Sequence, residues 1–429
     1  MYSPGAHCLN RPSTSPKAEL PFEIVSMIVE ILFEHHLSQP KYPEWSFSIA
    51  SDPFLYSWVT PEFLGLRLVC KTWALAATPI CFRTLWFRDS SHAQIMINLM
   101  TGPVQALDFS SFVKRLAFQD AGYWKDRNEG DNPMLCDPNS TDEVVDLINL
   151  IGQNTTELYL KVHDSIMITS SLVEAVKNIK GLKKLSIEAR HDYQPDGGYD
   201  SQAFSDLLVA HPNLECLILH GYNLETLSLG ETALSKLKHI SFIDYFDAIN
   251  IEGMTQICTL AKHSLKSIEF FSYEVDQGDY SEMIEPLFEP IMNTLEFISC
   301  NSIDSEIPQD TIDTEFPRLR VIHMASYGGE IIEGDWPIFH HVRTISQSLD
   351  DGQKSWRRTL NQTADVSWKP PNLRLLVFTE PNAISARDEV MDEKLINALK
   401  MHGIHCCYYP KIKPDELLEL DLRFNGPMK

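Results

Sequence analysis

Three histidine groupings, His35-His36, His340-His341 and His402-x-x-His405, and two aspartate pairs, Asp350-Asp351 and Asp244-x-x-Asp247, hold the residue types that could bind a metal or move protons. A zinc site needs four Cys, His or carboxylate ligands at short local spacings, and none of these groupings has further ligands so placed. Surface or core histidines and an ordinary acidic surface account for them. The nine cysteines, at 8, 70, 81, 136, 216, 258, 300, 406 and 407, include no Cys-x-x-Cys. An odd, scattered set in apolar surroundings, such as Leu68-Val69-Cys70 and Leu214-Glu215-Cys216-Leu217, reads as free thiols buried in a reducing compartment.

No Gly-x-Ser-x-Gly nucleophile turn, phosphate-binding Gly-Lys-Ser/Thr, Gly-x-Gly-x-x-Gly or His-Glu-x-x-His occurs. Gly197-Gly198 is a lone turn. The expectation is a chain that is not an enzyme, needs no cofactor or metal, and works by binding. A hydrolase or transferase on another α/β fold is the competing reading, and a cleft of buried titratable residues would support it.

Charge narrows the partners. The 429 residues carry Lys+Arg 36 against Asp+Glu 59, a formal net charge of -23. Such an excess repels phosphate backbones and anionic lipid surfaces, which argues against nucleic acid and membranes and for neutral or basic protein surfaces. No apolar run approaches the ~20 residues that span a bilayer. Met1 to Pro16 is rich in Pro and Ser without an apolar core, so it does not read as a signal peptide. The sequons at Asn139, Asn154 and Asn361 then read as chance matches, and the expected location is soluble, in the cytoplasm or nucleus.

The elements that would position a binding surface begin at Leu20. Pro21 suits the first turn of a helix, where its missing N–H costs nothing, and Glu23 sits well at the positive helix end. Ile24, Met27, Ile28, Ile31 and Leu32 follow the i, i+3, i+4, i+7, i+8 spacing of an amphipathic helix. A second helical stretch is expected over Leu64 to Trp73, and a third element over Ala74 to Phe87.

Leu20-Pro21-x-Glu23-Ile24, then Arg67-Leu68-Val69-Cys70-Lys71-x-Trp73, then Ala77-Thr78-Pro79-x-x-Phe82-Arg83-x-Leu85 resembles an F-box, particularly the fungal type, over roughly a fifth of the chain. The resemblance implies docking onto the adaptor subunit of an SCF-type cullin–RING ubiquitin ligase, and through it onto a cullin. The contact would be carried by Leu20, Pro21, Ile24, Ile28, Leu68, Val69, Cys70 and Trp73. One departure stands out: 33–63, with Pro40, Pro43, Pro53 and Pro61, separates helices that the family joins by a few residues. The plainer reading is a helical cap on a repeat array, since such arrays need capped ends.

From Phe112 onward the pattern apolar-x-x-apolar-x-apolar recurs, as in Leu182-Lys183-Lys184-Leu185-Ser186-Ile187 and Leu265-Lys266-Ser267-Ile268-Glu269-Phe270. The central residues Leu185, Leu217, Ile240, Ile268, Ile298, Ile322, Ile345 and Leu376 are spaced by about 23 to 32 residues, near the period of a leucine-rich repeat. Helix-compatible segments such as Ser170 to Ile179 and Ala203 to His211 lie between them. The consensus Asn of that repeat is missing. The expected fold is therefore α/β: an N-terminal helical F-box-like module, then a curved leucine-rich-repeat-like solenoid with a parallel sheet. A doubly wound sheet is the alternative. The expected divisions are a 1–19 leader, a 20–90 helical module, a 91–380 solenoid and a 381–429 cap. Gln119 to Glu143 and Ser346 to Pro371 read as insertions, Leu224 to Leu229 fits no full repeat, and a helix over Arg387 to His402 is stopped by Gly403.

Alternating strand residues point to opposite sheet faces. The residues between the buried ones would line the concave face: Lys184, Ser186 and Glu188; His239, Ser241 and Ile243; Ser267, Glu269 and Phe271; Phe297, Ser299 and Asn301; Val321, His323 and Ala325. The target-binding candidates are His239, Ser241, Glu269, Phe271, Phe297, Asn301 and His323, with Phe271 and Phe297 as an exposed aromatic hot spot. The functional expectation is a substrate-recognition subunit that holds a protein target. A repeat scaffold or inhibitor acting without a ubiquitin ligase is the alternative.

Overall fold

The computed structural model describes residues 20–37, 65–102, 109–121, 140–163, 168–190, 201–221, 224, 227–243, 248–271, 280–325, 334–362, 369–379, 391–409 and 412–428. The leader, nearly all of the 33–63 insertion, Gly197-Gly198, Asp244-x-x-Asp247 and Trp368 lie outside them, as do the side chains of His35 and His36.

The strands are β1 (Thr84–Phe87), β2 (Arg115–Ala121), β3 (Glu157–His163), β4 (Lys184–Arg190), β5 (Cys216–His220) and β6 (His239–Ile243). They continue as β7 (Ser267–Phe271), β8 (Phe297–Cys300), β9 (Val321–Met324), β10 (Thr344–Ser348), β11 (Leu375–Thr379) and β12 (His405–Tyr409). All twelve form one sheet in strictly sequential order. Every pair is parallel. A doubly wound sheet reverses its strand order at a switch point; this one does not, and its topology is that of an α/β solenoid.

Register follows the sequence pattern. Leu185, Leu217, Ile240, Ile268, Ile298, Ile322, Ile345 and Leu376 stand side by side across neighbouring strands. They are buried with the helices Thr141–Ile151, Ser170–Lys177 and Ser201–Ala210 in one continuous core. The first two helices begin at side-chain caps: Ser140 accepts from the Glu143 N–H within a capping box, and Thr169 from the Leu172 N–H. Between units the chain repeats one backbone device. The carbonyl of the residue before each strand, from Arg83 to Arg343, accepts two successive N–H groups of the next unit at 2.7 to 3.2 Å.

Several expectations need correcting. Ser346 to Pro371 is not an insertion: it holds the end of β10 and a helix, Leu349–Gln362, whose Trp356 is buried and donates to Gln347 Oε1 at 2.7 Å. Leu64 to Trp73 is not one helix. The described part passes through a short turn, and the next helix, Lys71–Cys81, starts after extended Cys70 and carries Pro79 inside it. Leu224 and Leu227 form no strand; they join the main core between β5 and β6. There the helix Ala248–Ala261 comes so close that a Cβ on Gly253 would lie 2.0 Å from the Leu224 carbonyl oxygen.

The helices Phe22–Leu37 and Lys71–Cys81 form their own core of Val25, Val29, Phe33, Ala76, Ala77, Ile80 and Cys81. At the other end, the helix Glu393–Met401 stops before Gly403, which takes φ 75° as expected of a helix-ending glycine, and β12 follows. A further helix, Pro414–Asn425, then turns back across the sheet face opposite the core helices. That side is the inner face of the sheet.

Candidate functional site

Two surfaces are candidates, and the first is the N-terminal helix pair. Val25, Val29 and Phe33 fill its core, so the stripe read as the packing face points away from it. Ile24, Met27, Ile31 and Leu32 are exposed, Met27 by 53% and Ile31 by 60%. Leu20, Phe22, Val69, Leu75 and above all Leu68, at 88%, are further exposed apolar side chains of this helix pair and the chain beside it. Of the residues assigned to an adaptor contact, Leu20, Pro21, Ile24, Leu68, Val69 and Cys70 are exposed, while Ile28 and Trp73 are half-buried and Trp73 packs on the pair's core. Met27, Ile31, Leu32 and Leu75 are exposed as well and were not assigned to the contact from the sequence.

The second is the inner face of the sheet. The alternation rule places its residues correctly but not its exposure. Phe271 and Phe297, expected to be an exposed pair, are 1% and 0% exposed. Phe297 packs with Val321, Leu375, Val377, Ile412, Leu417 and Leu418, under the Pro414–Asn425 helix. Phe271 packs with Ile218 and Ile243. His239, Ser241, Glu269 and His323 are buried too, and half-buried Asn301 donates to Glu306 Oε1 at 2.6 Å. None of the seven target-binding candidates is an open surface position in this state.

The buried polar row is partly paired. Ser241 Oγ donates to Glu269 Oε2 at 3.4 Å, and His323 Nδ1 lies 3.0 Å from Ser346 Oγ. His239 Nε2 is 3.5 Å from Glu269 Oε1, but neither His239 ring nitrogen has a hydrogen-bond partner, and neither does Ser299 Oγ. Burial, reinforced by the charge of Lys184, lowers the His239 pKa to about 3; burial alone lowers that of His323 to about 4. Both are neutral imidazoles near pH 7. Burial pushes the Cys216 thiol up to about 12, so it is no nucleophile.

Along the strand-entry edge runs a column of charges. Lys183 and Lys238 flank Glu215 at 2.9 and 2.6 Å, and Lys266 and Arg320 flank Glu296 at 3.0 and 2.8 Å. The next neighbour of Arg320 in the column is Arg343, another cation, and Asp421 of the returning helix fills the place between them. Its fully buried carboxylate lies 2.7 Å from Arg320 Nη1, pairs with Arg343, and accepts from Thr344 Oγ1 at 2.8 Å. Arg320 Nη1 also donates to the Leu418 carbonyl at 2.9 Å, and Arg343 Nη1 to that of Gly426 at 2.9 Å. Sequence reasoning missed this clasp. Its signal was present in Pro414 followed by Leu417-Leu418-x-x-Asp421, a capped amphipathic turn ending in a carboxylate.

Of the histidines in the groupings that are described, His340 and His341 face Glu315 at 4.0 and 2.7 Å, and the His405 ring meets that of Phe424 at 5.0 Å. Among the described residues, no three His, Cys, Asp or Glu side chains converge as a metal would require, and no helix is long and apolar enough to cross a membrane. No protein-family model matches the chain, and no curated protein sequence matches it as a relative.

Proposed function

We propose that this chain is the substrate-recognition subunit of an SCF-type cullin–RING ubiquitin ligase. It docks on the adaptor subunit through the Phe22–Leu37 and Lys71–Cys81 helices and holds a protein target on the repeat body. The observation that carries this reading is the second apolar stripe of the first helix. The pair already has a core, yet Ile24, Met27, Ile31, Leu32, Leu68 and Val69 remain in water. Fully covering one such side chain is worth about 1.5–3 kcal/mol, and apolar side chains left exposed in this number on one helix pair mark a protein contact. The F-box-like residues Leu20, Pro21, Ile24, Leu68, Val69 and Cys70 are exposed as this reading requires. Chemistry then belongs to the recruited ligase, which gains rate by holding target lysines near the charged ubiquitin.

The test is co-expression with an SCF adaptor subunit followed by purification of the complex. Wild type co-purifies with the adaptor. Ile24→Asp and Val69→Asp abolish co-purification while leaving the melting temperature within about 2 °C of wild type, because both positions are exposed. A folded wild-type chain that captures no adaptor would overturn the ligase reading and leave the repeat scaffold in its place.

A further inference from the structure

The returning helix binds the inner face as a ligand would. Its contacts form a compact set: Leu417 and Leu418 on the apolar shelf of Phe297, Val321, Leu375 and Val377, and Asp421 between Arg320 and Arg343. The crossover helices Thr141–Ile151, Ser170–Lys177 and Ser201–Ala210 bury their apolar side chains in the main core, on the other side of the sheet. The two arginines give the groove local positive charge within a chain of net charge -23. Within the strands that the helix crosses, Ser299 on β8 is buried with its hydroxyl lacking a hydrogen-bond partner.

We propose that the inner face over β8 to β11 is a groove for an amphipathic helix carrying two adjacent leucines and a carboxylate three residues after them. The Pro414–Asn425 helix is its built-in occupant, and a target protein's helix of the same chemistry displaces it. The recognition is by charge and shape together. A carboxylate between two arginines is held by charge-assisted hydrogen bonds, and the leucines seat on the shelf as anchors in a helix groove. A target helix that reaches Ser299 with a polar side chain makes a bond that the built-in helix does not. This deepens the target-binding half of the proposed function and is independent of the adaptor half. A neutral or basic target surface, expected from net charge alone, gives way here to a locally acidic helix.

The experiment uses the full chain and a fluorescent peptide with the sequence of residues 412–428, read by anisotropy. Asp421→Ala, which removes the anchor of the built-in helix, binds the peptide at least tenfold more tightly than wild type. The same peptide with Ala in place of its aspartate loses at least tenfold on that variant, as does the intact peptide when Arg320→Ala and Arg343→Ala are added. Absence of peptide binding by a folded Asp421→Ala chain overturns the proposal. Hydrogen exchange on wild type keeps the test independent of whether variants fold. Amides of Pro414–Asn425 exchange at least tenfold faster than those of β8 to β11, whereas exchange of helix and sheet in one event refutes displacement. Adaptor co-purification, measured on the same preparations, separates failure of this groove from failure of the ligase reading.

Discussion

Arg320 Nη1 and Asp421 Oδ2 stand 2.7 Å apart although 101 residues separate them in the chain. The same guanidinium gives its Nε and Nη2 to Glu296 Oε2, at 3.1 and 2.8 Å, and shares Nη1 with the Leu418 carbonyl. One planar group thus ties a strand-edge carboxylate, a helix carboxylate and a helix backbone. A lysine ammonium cannot present donors in that fork. Arg320→Lys therefore lowers the unfolding free energy by about 2 kcal/mol in urea titration. Lys266→Ala, which removes an exposed lysine while Arg320 still holds Glu296, costs under ~0.5 kcal/mol. Equal effects at the two positions would contradict the clasp.

The two stripes of the Phe22–Leu37 helix separate cleanly by mutation. Val29 is fully buried in the helix pair and Ile31 is exposed. Val29→Ala costs about 2 kcal/mol through the lost methyls and the cavity left behind, and Val29→Asp opens the pair to limited proteolysis. Ile31→Asp leaves both protease resistance and melting temperature as in wild type.

Acid destabilises the chain through its buried imidazoles. His239 and His323 have folded pKa values of about 3 and about 4, while the unfolded value is about 6.5. Their contribution to stability is complete above about pH 6.5, and it shrinks as pH falls toward the folded values, because only the unfolded chain takes up the protons. At pH 5 each histidine removes about 2 kcal/mol relative to pH 7. The melting temperature falls across this window, and His323→Gln flattens the slope by its share. A flat profile from pH 7 to 5 would show that these rings are hydrated.

Gly253 tests the close approach of the Ala248–Ala261 helix to the chain at Leu224. Alanine is the better helix former by about 1 kcal/mol, so an unconstrained helix would gain from the change. Here the new Cβ would lie 2.0 Å from the Leu224 oxygen and 2.8 Å from its Cβ. Gly253→Ala consequently destabilises by about 1–3 kcal/mol through overpacking, measured as a shift in urea midpoint with unchanged slope.

The ten repeat units from Val113 to Phe378 were legible as strands because each carries Leu or another apolar residue where the core helices press. The Leu349–Gln362 helix was not. Its Asp351, Lys354, Arg357 and Arg358 make it polar overall and so read as a loop, although Leu349, Gln353, Trp356 and Leu360 recur at helical spacing on the side that packs inward. In the Phe22–Leu37 helix both stripes are apolar, so spacing could not decide between Val25-Val29-Phe33 and Ile24-Met27-Ile31. On the inner face, alternation fixed the direction of His239, Glu269 and Phe297 but not what lies over them. Over Phe297 the cover is made by Leu417 and Leu418, about 120 residues further on, and no local pattern carries that pairing. Phe271, Phe297 and Val321 on a row expected to face water were the clue.

Sequential strand order has a consequence for how the chain is made. Each unit finds its partner in the unit synthesised just before it, so the sheet can assemble as it emerges from the ribosome. The Arg320–Asp421 clasp cannot. At about 5–20 residues per second, on the order of ten seconds pass between the synthesis of Arg320 and that of Asp421. Through that interval the two arginines and the shelf of Phe297 and Val321 stand without their helix, available to any acidic amphipathic segment nearby.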